Sequence, residues 1–199
     1  MEAASKLLPE NGQDRALAVP APGGYLVAVA DGAGGTGDGA AAAERLIAGL
    51  AKLAGVAAST DWFGALLELD DDLLAHRPGC QTTGVVAYVT VGRIVGASVG
   101  DSSARLISPA REMTYLTAHQ RRRPLLGSGE AVPVVFEAAL GNDRLLLASD
   151  GLFKYTTAER ICALAMQRSV AEAADALANC VRLPSGAFQD DVAVVLIAG

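Results

Sequence analysis

The sequence is poor in cysteine and in positive charge. Its three cysteines (Cys80, Cys162 and Cys180) are far apart and form no CxxC pair. This spacing argues against a disulfide framework and against a zinc site, and it favours a reducing, cytoplasmic compartment. Lys and Arg together number 16 against 22 Asp and Glu, which gives a formal net charge of −6. We therefore expect neither nucleic acid nor an anionic membrane surface as a main partner.

Long hydrophobic runs are missing as well. No apolar stretch approaches the length of a membrane span, and residues 1–6 lack the pattern of a signal peptide. We therefore expect no membrane association. Of the 199 residues, 51% are hydrophobic and 19% are charged, a composition typical of a compact globular chain. The simplest expectation is a single domain over residues 1–199.

The hydrophobic pattern changes several times between the period of helices and that of strands. Residues 25–30 form a short apolar run that predicts a buried strand ending at Asp31, whereas residues 1–18 give only a possible strand from residue 16. The pattern predicts helices at 39–53, 61–76, 157–168 and 170–181, and further strands at 83–91, 93–99, 103–107, 112–117, 132–140, 144–148 and 191–198. Strands at both ends with helix pairs between them predict an α+β domain of two packed sheets flanked by helices.

Three stretches carry more specific expectations. The strand at 103–107 follows two antiparallel strands and is expected to continue their meander. The polar and basic residues 119–129 predict an exposed loop. The run from Asp70 to Asp72 could be a metal cluster, but successive helix positions point in different directions, so we expect a solvated helix face there.

Aspartates mark the ends of the apolar strands. The residues are Asp31, Asp101, Asp150 and Asp190 with Asp191, and the chain offers no lysine or arginine next to any of them. Carboxylates on strand ends of one sheet face repel one another unless a cation lies between them. Since oxygen ligands without His or Cys suit hard cations, the set favours Mg²⁺ or Mn²⁺, and two such ions can orient a phosphate for attack. For any one aspartate alone, an ordinary turn is at least as good an interpretation.

Seven short motifs follow one another along the chain: residues 13–15 (QDR), 31–35 (DGAGG), 82–84 (TTG), 99–102 (VGDS), 116–119 (LTAH), 147–152 (LASDGL) and 189–195 (QDDVAVV). In this order they resemble metal-dependent serine/threonine protein phosphatases of the type 2C (PPM) family, as a minimal bacterial-type member. The resemblance implies a four-layer α/β/β/α sandwich of two antiparallel sheets, with a binuclear Mg²⁺ or Mn²⁺ centre at one end. It also implies hydrolysis of phosphoserine or phosphothreonine in proteins, by direct attack of a hydroxide that bridges the two metals.

The resemblance assigns the main catalytic ligands to four positions. Asp31 would bridge both metals, and Gly32 would contribute its carbonyl oxygen to one of them. Asp150 and Asp190 would complete the first metal. The two ions would activate water and polarise the phosphate, so that no phosphoenzyme intermediate is needed.

Other ligand positions follow from the same resemblance. Asp14 matches the aspartate on the second-metal side, although the acidic position before it is Gln13 here. Asp101 matches the aspartate associated with a third, weaker metal in bacterial members. Asp191 stands where the family usually has asparagine, so Asp190 is the expected ligand of the pair.

The chain departs from the family pattern at three further positions near the site. Ala33 replaces the histidine that many eukaryotic members carry as general acid, a residue that some bacterial members also lack. The slot of the phosphate-binding arginine is Pro9 here, and Lys6 is the nearest cation. Ser103 replaces the arginine that commonly follows the Gly-Asp-Ser motif. Lys6 is therefore a candidate substrate contact.

The segment between His119 and Asp150 is shorter than the family norm, so the flap beside the active site, at about residues 119–131, is expected to be shortened. Residues 121–123 are arginines. They are interpreted as a solvated basic loop or, alternatively, as a substitute contact to a phosphopeptide, with Arg121 as the candidate.

Three functions remain open from the sequence. The first is an active cytoplasmic protein phosphatase in signalling, which would act as a monomer on a phosphoprotein and serve opposite a serine/threonine kinase. The second is a non-catalytic phosphatase-like module that binds a phosphoprotein or a kinase. The missing arginine and the shortened flap motivate the second function, and the retained Asp31, Asp150 and Asp190 argue against it. The third shares the chemistry of the first and is a dedicated phosphatase in a stress or sporulation-type switch, which would act on one phosphoserine regulator.

Overall fold

The computed structural model describes residues 1–34 and 38–199. These residues form two five-stranded antiparallel sheets. In the first sheet the order is β1 (Glu2–Leu8), β10 (Val192–Ala198), β9 (Arg144–Ala148), β6 (Ser103–Ile107) and β7 (Met113–Tyr115). In the second it is β2 (Asp14–Ala21), β3 (Gly24–Asp31), β4 (Gly84–Thr90), β5 (Ile94–Val99) and β8 (Val134–Ala138). The helices are α1 (Gly39–Lys52), α2 (Trp62–His76), α3 (Asp150–Lys154), α4 (Ala158–Ala165) and α5 (Val170–Asn179), with a 3₁₀ helix at Ala54–Ser59. No helix within the described residues is long and apolar enough to cross a membrane.

Alternating side chains of the strands build the layers. Along β3, Val27 and Val29 face the other sheet, whereas Leu26 and Ala28 face α1 and α2. On the first sheet, Leu146 and its neighbours on β10 face away from the second sheet and pack on α4 and α5. The result is a four-layer α/β/β/α sandwich, which confirms the fold class expected from the sequence.

Most helix and strand predictions are confirmed to within a few residues. Helix α2 begins where the sequence predicts, because the Asp61 carboxylate accepts a hydrogen bond from the backbone N–H of Phe63. Three of the described elements were missed: β1, which pairs with β10 at the sheet edge, the 3₁₀ helix at Ala54–Ser59 and the five-residue helix α3.

The expected meander of β6 after β5 is wrong. Strand β6 crosses to the first sheet and pairs with β9 and β7, while β8 takes the free side of β5. Gly100 makes the crossing possible, since its φ of +92° favours glycine and a Cβ there would lie 2.7 Å from the Thr83 side chain. Asp101 therefore lies where the chain passes between the sheets.

The expected solvated face at Asp70 is also wrong. Asp70 is 2% exposed, and its carboxylate accepts hydrogen bonds from the backbone N–H groups of Gly127, Gly129 and Ala131. These bonds hold the segment after the arginines against α2, and buried leucines at 125 and 126 lie in it. The stretch 119–129 is therefore partly buried rather than an exposed loop throughout, because Asp70 supplies the partners that its buried amides need.

Candidate metal centre

A cleft of about 390 Å³ collects carboxylates from separate elements. Asp31 comes from the end of β3, Asp101 from the crossing between the sheets, Asp150 from the start of α3 and Asp190 from the loop before β10. Gly32 lines the same cleft. The structure thus brings together five of the site residues that the sequence predicts, although all except the neighbours Asp31 and Gly32 are far apart along the chain.

Short-range contacts fix the end of β3. The backbone N–H of Asp31 donates to Thr83 Oγ1 at 3.0 Å, and the Asp31 carbonyl accepts from Thr82 Oγ1 at 2.9 Å. Gly32 follows at a point of close approach, where a Cβ would lie 2.2 Å from the carbonyl oxygen of Gly39. Any other residue at 32 would clash with the start of α1. Gly35, the last glycine of this motif, lies outside the described residues.

Asp14 does not line the cleft but is the ladder partner of Asp31 on β2. It is 6% exposed, and neither of its carboxylate oxygens accepts a hydrogen bond from the described residues. Burial raises the pKa of Asp14 to about 7. The neighbouring Ser149 side chain offsets part of this rise, and the nearby charges of Asp191 and Asp190 add to it. A buried carboxylate without a partner is costly, and a cation beside it would remove that cost.

Asp31 has the most strongly shifted pKa among the residues that line the cleft. Burial raises its pKa to about 9, with further contributions from the charges of Asp14, Asp150, Asp190 and Asp101. This donor set consists of carboxylates and backbone oxygens, which are the ligands that Mg²⁺ and Mn²⁺ take. The residues therefore fit a hard divalent cation.

The expectation that no lysine or arginine lies next to these aspartates is wrong. Lys154 Nζ lies 2.7 Å from Asp150 Oδ2 and 3.3 Å from Asp190 Oδ2, and Arg122 Nε lies 2.8 Å from Asp101 Oδ2. As these side chains stand, no three His, Cys, Asp or Glu residues within 1–34 and 38–199 are grouped closely enough to hold an ion. Burial raises the pKa of Asp150, and Lys154 offsets part of that effect.

Asp191 has a role that the sequence did not reveal. Its carboxylate accepts backbone N–H groups from five successive residues: Glu10, Asn11, Gly12, Gln13 and Asp14. Burial would raise the pKa of Asp191, but these hydrogen bonds outweigh it and lower the pKa below its ordinary value. Asp191 thus holds the loop that delivers Asp14, and the polar turn at residues 10–14 was the available signal.

The two predicted substrate contacts lie elsewhere. Lys6 Nζ contacts Asp175 of α5 at 2.5 Å, on the helix side of the first sheet, and does not line the cleft. Arg121 is exposed and does not line it either, whereas its neighbours Arg122 and Arg123 do. The structure therefore places other arginines of the same run beside the aspartates.

The raised pKa values predict how the metal-free protein responds to pH. Asp14 and Asp31 keep their protons to higher pH in the folded state than at the ordinary carboxyl pKa of 3.8. Their contribution to stability is fully present below that pKa and is lost as the pH rises through about 7 and about 9. In EDTA, we expect the midpoint of thermal unfolding to fall between about pH 6 and pH 9. A midpoint that stays constant or rises over this range would contradict the prediction.

Comparisons with known proteins show the family and the fold of this chain. A family model described as stage II sporulation protein E (SpoIIE) matches residues 21–198, and no curated protein sequence matches the chain. A solved bacterial serine phosphatase is similar with a TM-score of 0.86 and 21% identity over 100% of this chain and 97% of that one. The catalytic domain of the serine threonine protein phosphatase PstP, in complex with 2 manganese ions, is similar with a TM-score of 0.78 and 24% identity over 98% of this chain and 96% of that one. The PPM Ser-Thr phosphatase MsPP from Mycobacterium smegmatis, in complex with cacodylate, has a TM-score of 0.81 and 25% identity over 100% and 98%.

Proposed function

This chain belongs to the stage II sporulation protein E family and has the fold of PPM phosphatases, and on this basis we propose that it is a metal-dependent protein phosphatase acting on phosphoserine or phosphothreonine. The observation that carries the proposal is the convergence of Asp31, Asp101, Asp150 and Asp190 on one cleft, with the unpartnered Asp14 beside Asp31. The two manganese ions in the PstP structure support a pair of divalent ions here.

The residues divide the work of holding the ions. Asp31, Asp150 and Asp190 would be direct ligands, Gly32 would supply a carbonyl oxygen, and Asp14 would stabilise the second ion. When bound, Mg²⁺ or Mn²⁺ activates water and polarises the phosphate oxygens. Asp101, which lines the same cleft, would hold a third ion.

Other side chains position these ligands and the substrate. Thr83 fixes the backbone of Asp31, so that its carboxylate is presented at a defined point of the cleft. The N–H groups of Arg122 and Arg123, which line the cleft, would bind phosphate oxygens in place of the arginine whose slot is Pro9. Ala33 has no group that could protonate the leaving oxygen. A shortened flap at residues 119–131 would leave this arginine side of the cleft accessible to a phosphorylated segment of a protein.

The proposal is tested by hydrolysis of p-nitrophenyl phosphate and of a phosphoserine peptide. We expect turnover of both with Mn²⁺ or Mg²⁺, loss of turnover in EDTA, and recovery when Mn²⁺ is added back. A phosphotyrosine peptide tests the substrate class and should be the poorer peptide. No turnover with either ion, from protein shown to be folded by circular dichroism, would overturn the proposal and favour a phosphoprotein-binding role.

A further inference from the structure

Lys154 lies at the cleft as the last residue of α3. Asp150 begins this helix one turn earlier, so both side chains project from the same side of it. The ammonium contacts Asp150 Oδ2 at 2.7 Å and Asp190 Oδ2 at 3.3 Å, and the Lys154 side chain is 44% exposed. Lys154 therefore joins two carboxylates that the proposed function assigns to one metal.

The second oxygen of Asp190 is also engaged. Asp190 Oδ1 accepts the backbone N–H of Asp191 at 3.1 Å, while Oδ2 accepts from Lys154. The Asp191 amide belongs to the backbone that leads into β10, whereas the Lys154 ammonium stands on a flexible four-carbon chain. A cation can therefore bind Asp190 more easily at Oδ2, where it displaces the Lys154 ammonium, than at Oδ1, where it would have to displace a backbone amide.

We propose that Lys154 is an internal competitor of the divalent metal. The inference rests on the proposed function, in which Asp150 and Asp190 hold an ion. Metal binding exchanges the ammonium for the ion on both carboxylates, and the released side chain, repelled by the ion, turns to solvent. Lys154 accordingly lowers the metal affinity of the site and, in the metal-free protein, offsets the repulsion between Asp150 and Asp190.

Arg122 makes a similar contact with Asp101, but its side chain is 79% exposed and lies in a loop rather than on a helix. An exposed pair of this kind contributes little. Lys154 is tied to its own partner by helix spacing and contacts two carboxylates at once. The competition is therefore assigned to Lys154.

The test is a calorimetric titration with Mn²⁺, without any phosphate ester present. We expect Lys154→Gln to bind Mn²⁺ at least about tenfold more tightly than the wild type, since a charged hydrogen-bonded contact no longer has to break. Lys154→Arg keeps the charge and should stay within about threefold of the wild type. Lys52→Gln removes one positive charge from the exposed end of α1 and should change the affinity less than about twofold.

A second readout comes from thermal unfolding of the same variants. In EDTA, Lys154→Gln should unfold at a lower temperature than the wild type, because Asp150 and Asp190 lose their shared counter-ion. With saturating Mn²⁺, its midpoint should rise by more than that of the wild type. Equal or weaker Mn²⁺ binding by Lys154→Gln, with Mn²⁺ still bound by the wild type, overturns the inference and leaves the phosphatase standing. Absence of Mn²⁺ binding in both proteins overturns the metal centre and this inference together.

Discussion

Replacement of Asp31 by asparagine is expected to reduce metal-dependent hydrolysis of p-nitrophenyl phosphate at least about 100-fold. The charges of four other aspartates act on Asp31 and help to raise its pKa. Hydrogen bonds from its backbone to the hydroxyl groups of Thr82 and Thr83 fix its position at the end of β3. An amide keeps the size of the side chain but removes the negative charge that binds a divalent cation. Steady-state rates with Mn²⁺ measure the effect.

The same change should stabilise the protein without metal. Burial and neighbouring charges raise the pKa of Asp31 to about 9, so its ionisation opposes folding once the pH exceeds the ordinary carboxyl pKa. The asparagine variant would avoid that cost, and its midpoint of thermal unfolding in EDTA should rise and vary less between about pH 6 and pH 9. Asp71→Asn, on the exposed side of α2, serves as the matched control and should change neither quantity. A variant that keeps its activity, or that loses stability in EDTA, would count against a metal role for Asp31.

Local signals in the sequence were sufficient for the long elements of the fold. Helix α2 could be predicted because Asp61 caps it and apolar residues recur at helical spacing behind the cap. Strand β1 could not, because an edge strand with half-exposed side chains lacks a clear alternation. Helix α3 was not predicted because it has only five residues and carries glycine at its second position. The sheet that β6 joins depends on its pairing with β9, a contact distant in sequence that no local pattern encodes.

The candidate site divides in the same way. Asp31, Asp101 and Asp150 could be selected because each follows or precedes a strand, which is a local property. The contacts of Lys154 and Arg122 depend on where long side chains end in space, so the sequence indicated the opposite. That Asp190 rather than Asp191 is a metal ligand stays a prediction. The five amides on Asp191 give that residue a structural task of its own.

Asp191→Ala is expected to have the largest effect on stability. Asp191 is 4% exposed, and its removal would leave the backbone N–H groups of residues 10–14 without their acceptor. Loss of a buried carboxylate with several charged hydrogen bonds costs about 3–5 kcal/mol. In a chain of this size, that corresponds to a decrease of roughly 10 °C in the midpoint of thermal unfolding.

The Asp191→Asn variant distinguishes the contribution of the hydrogen bonds to stability from that of the side-chain volume, because it keeps the volume. The amide oxygen can still accept from Glu10, Asn11 and Gly12, but the NH₂ group would replace the oxygen that accepts from Gln13 and Asp14. The NH₂ group would then face the backbone N–H donors of Gln13 and Asp14. We therefore expect the midpoint of thermal unfolding to decrease, but by less than in the alanine variant. Because the same loop delivers Asp14, Mn²⁺ affinity should fall in the order wild type, asparagine variant, alanine variant. If other contacts hold the loop in place, both variants should instead show the unfolding midpoint and the Mn²⁺ affinity of the wild type, which would contradict this role of Asp191.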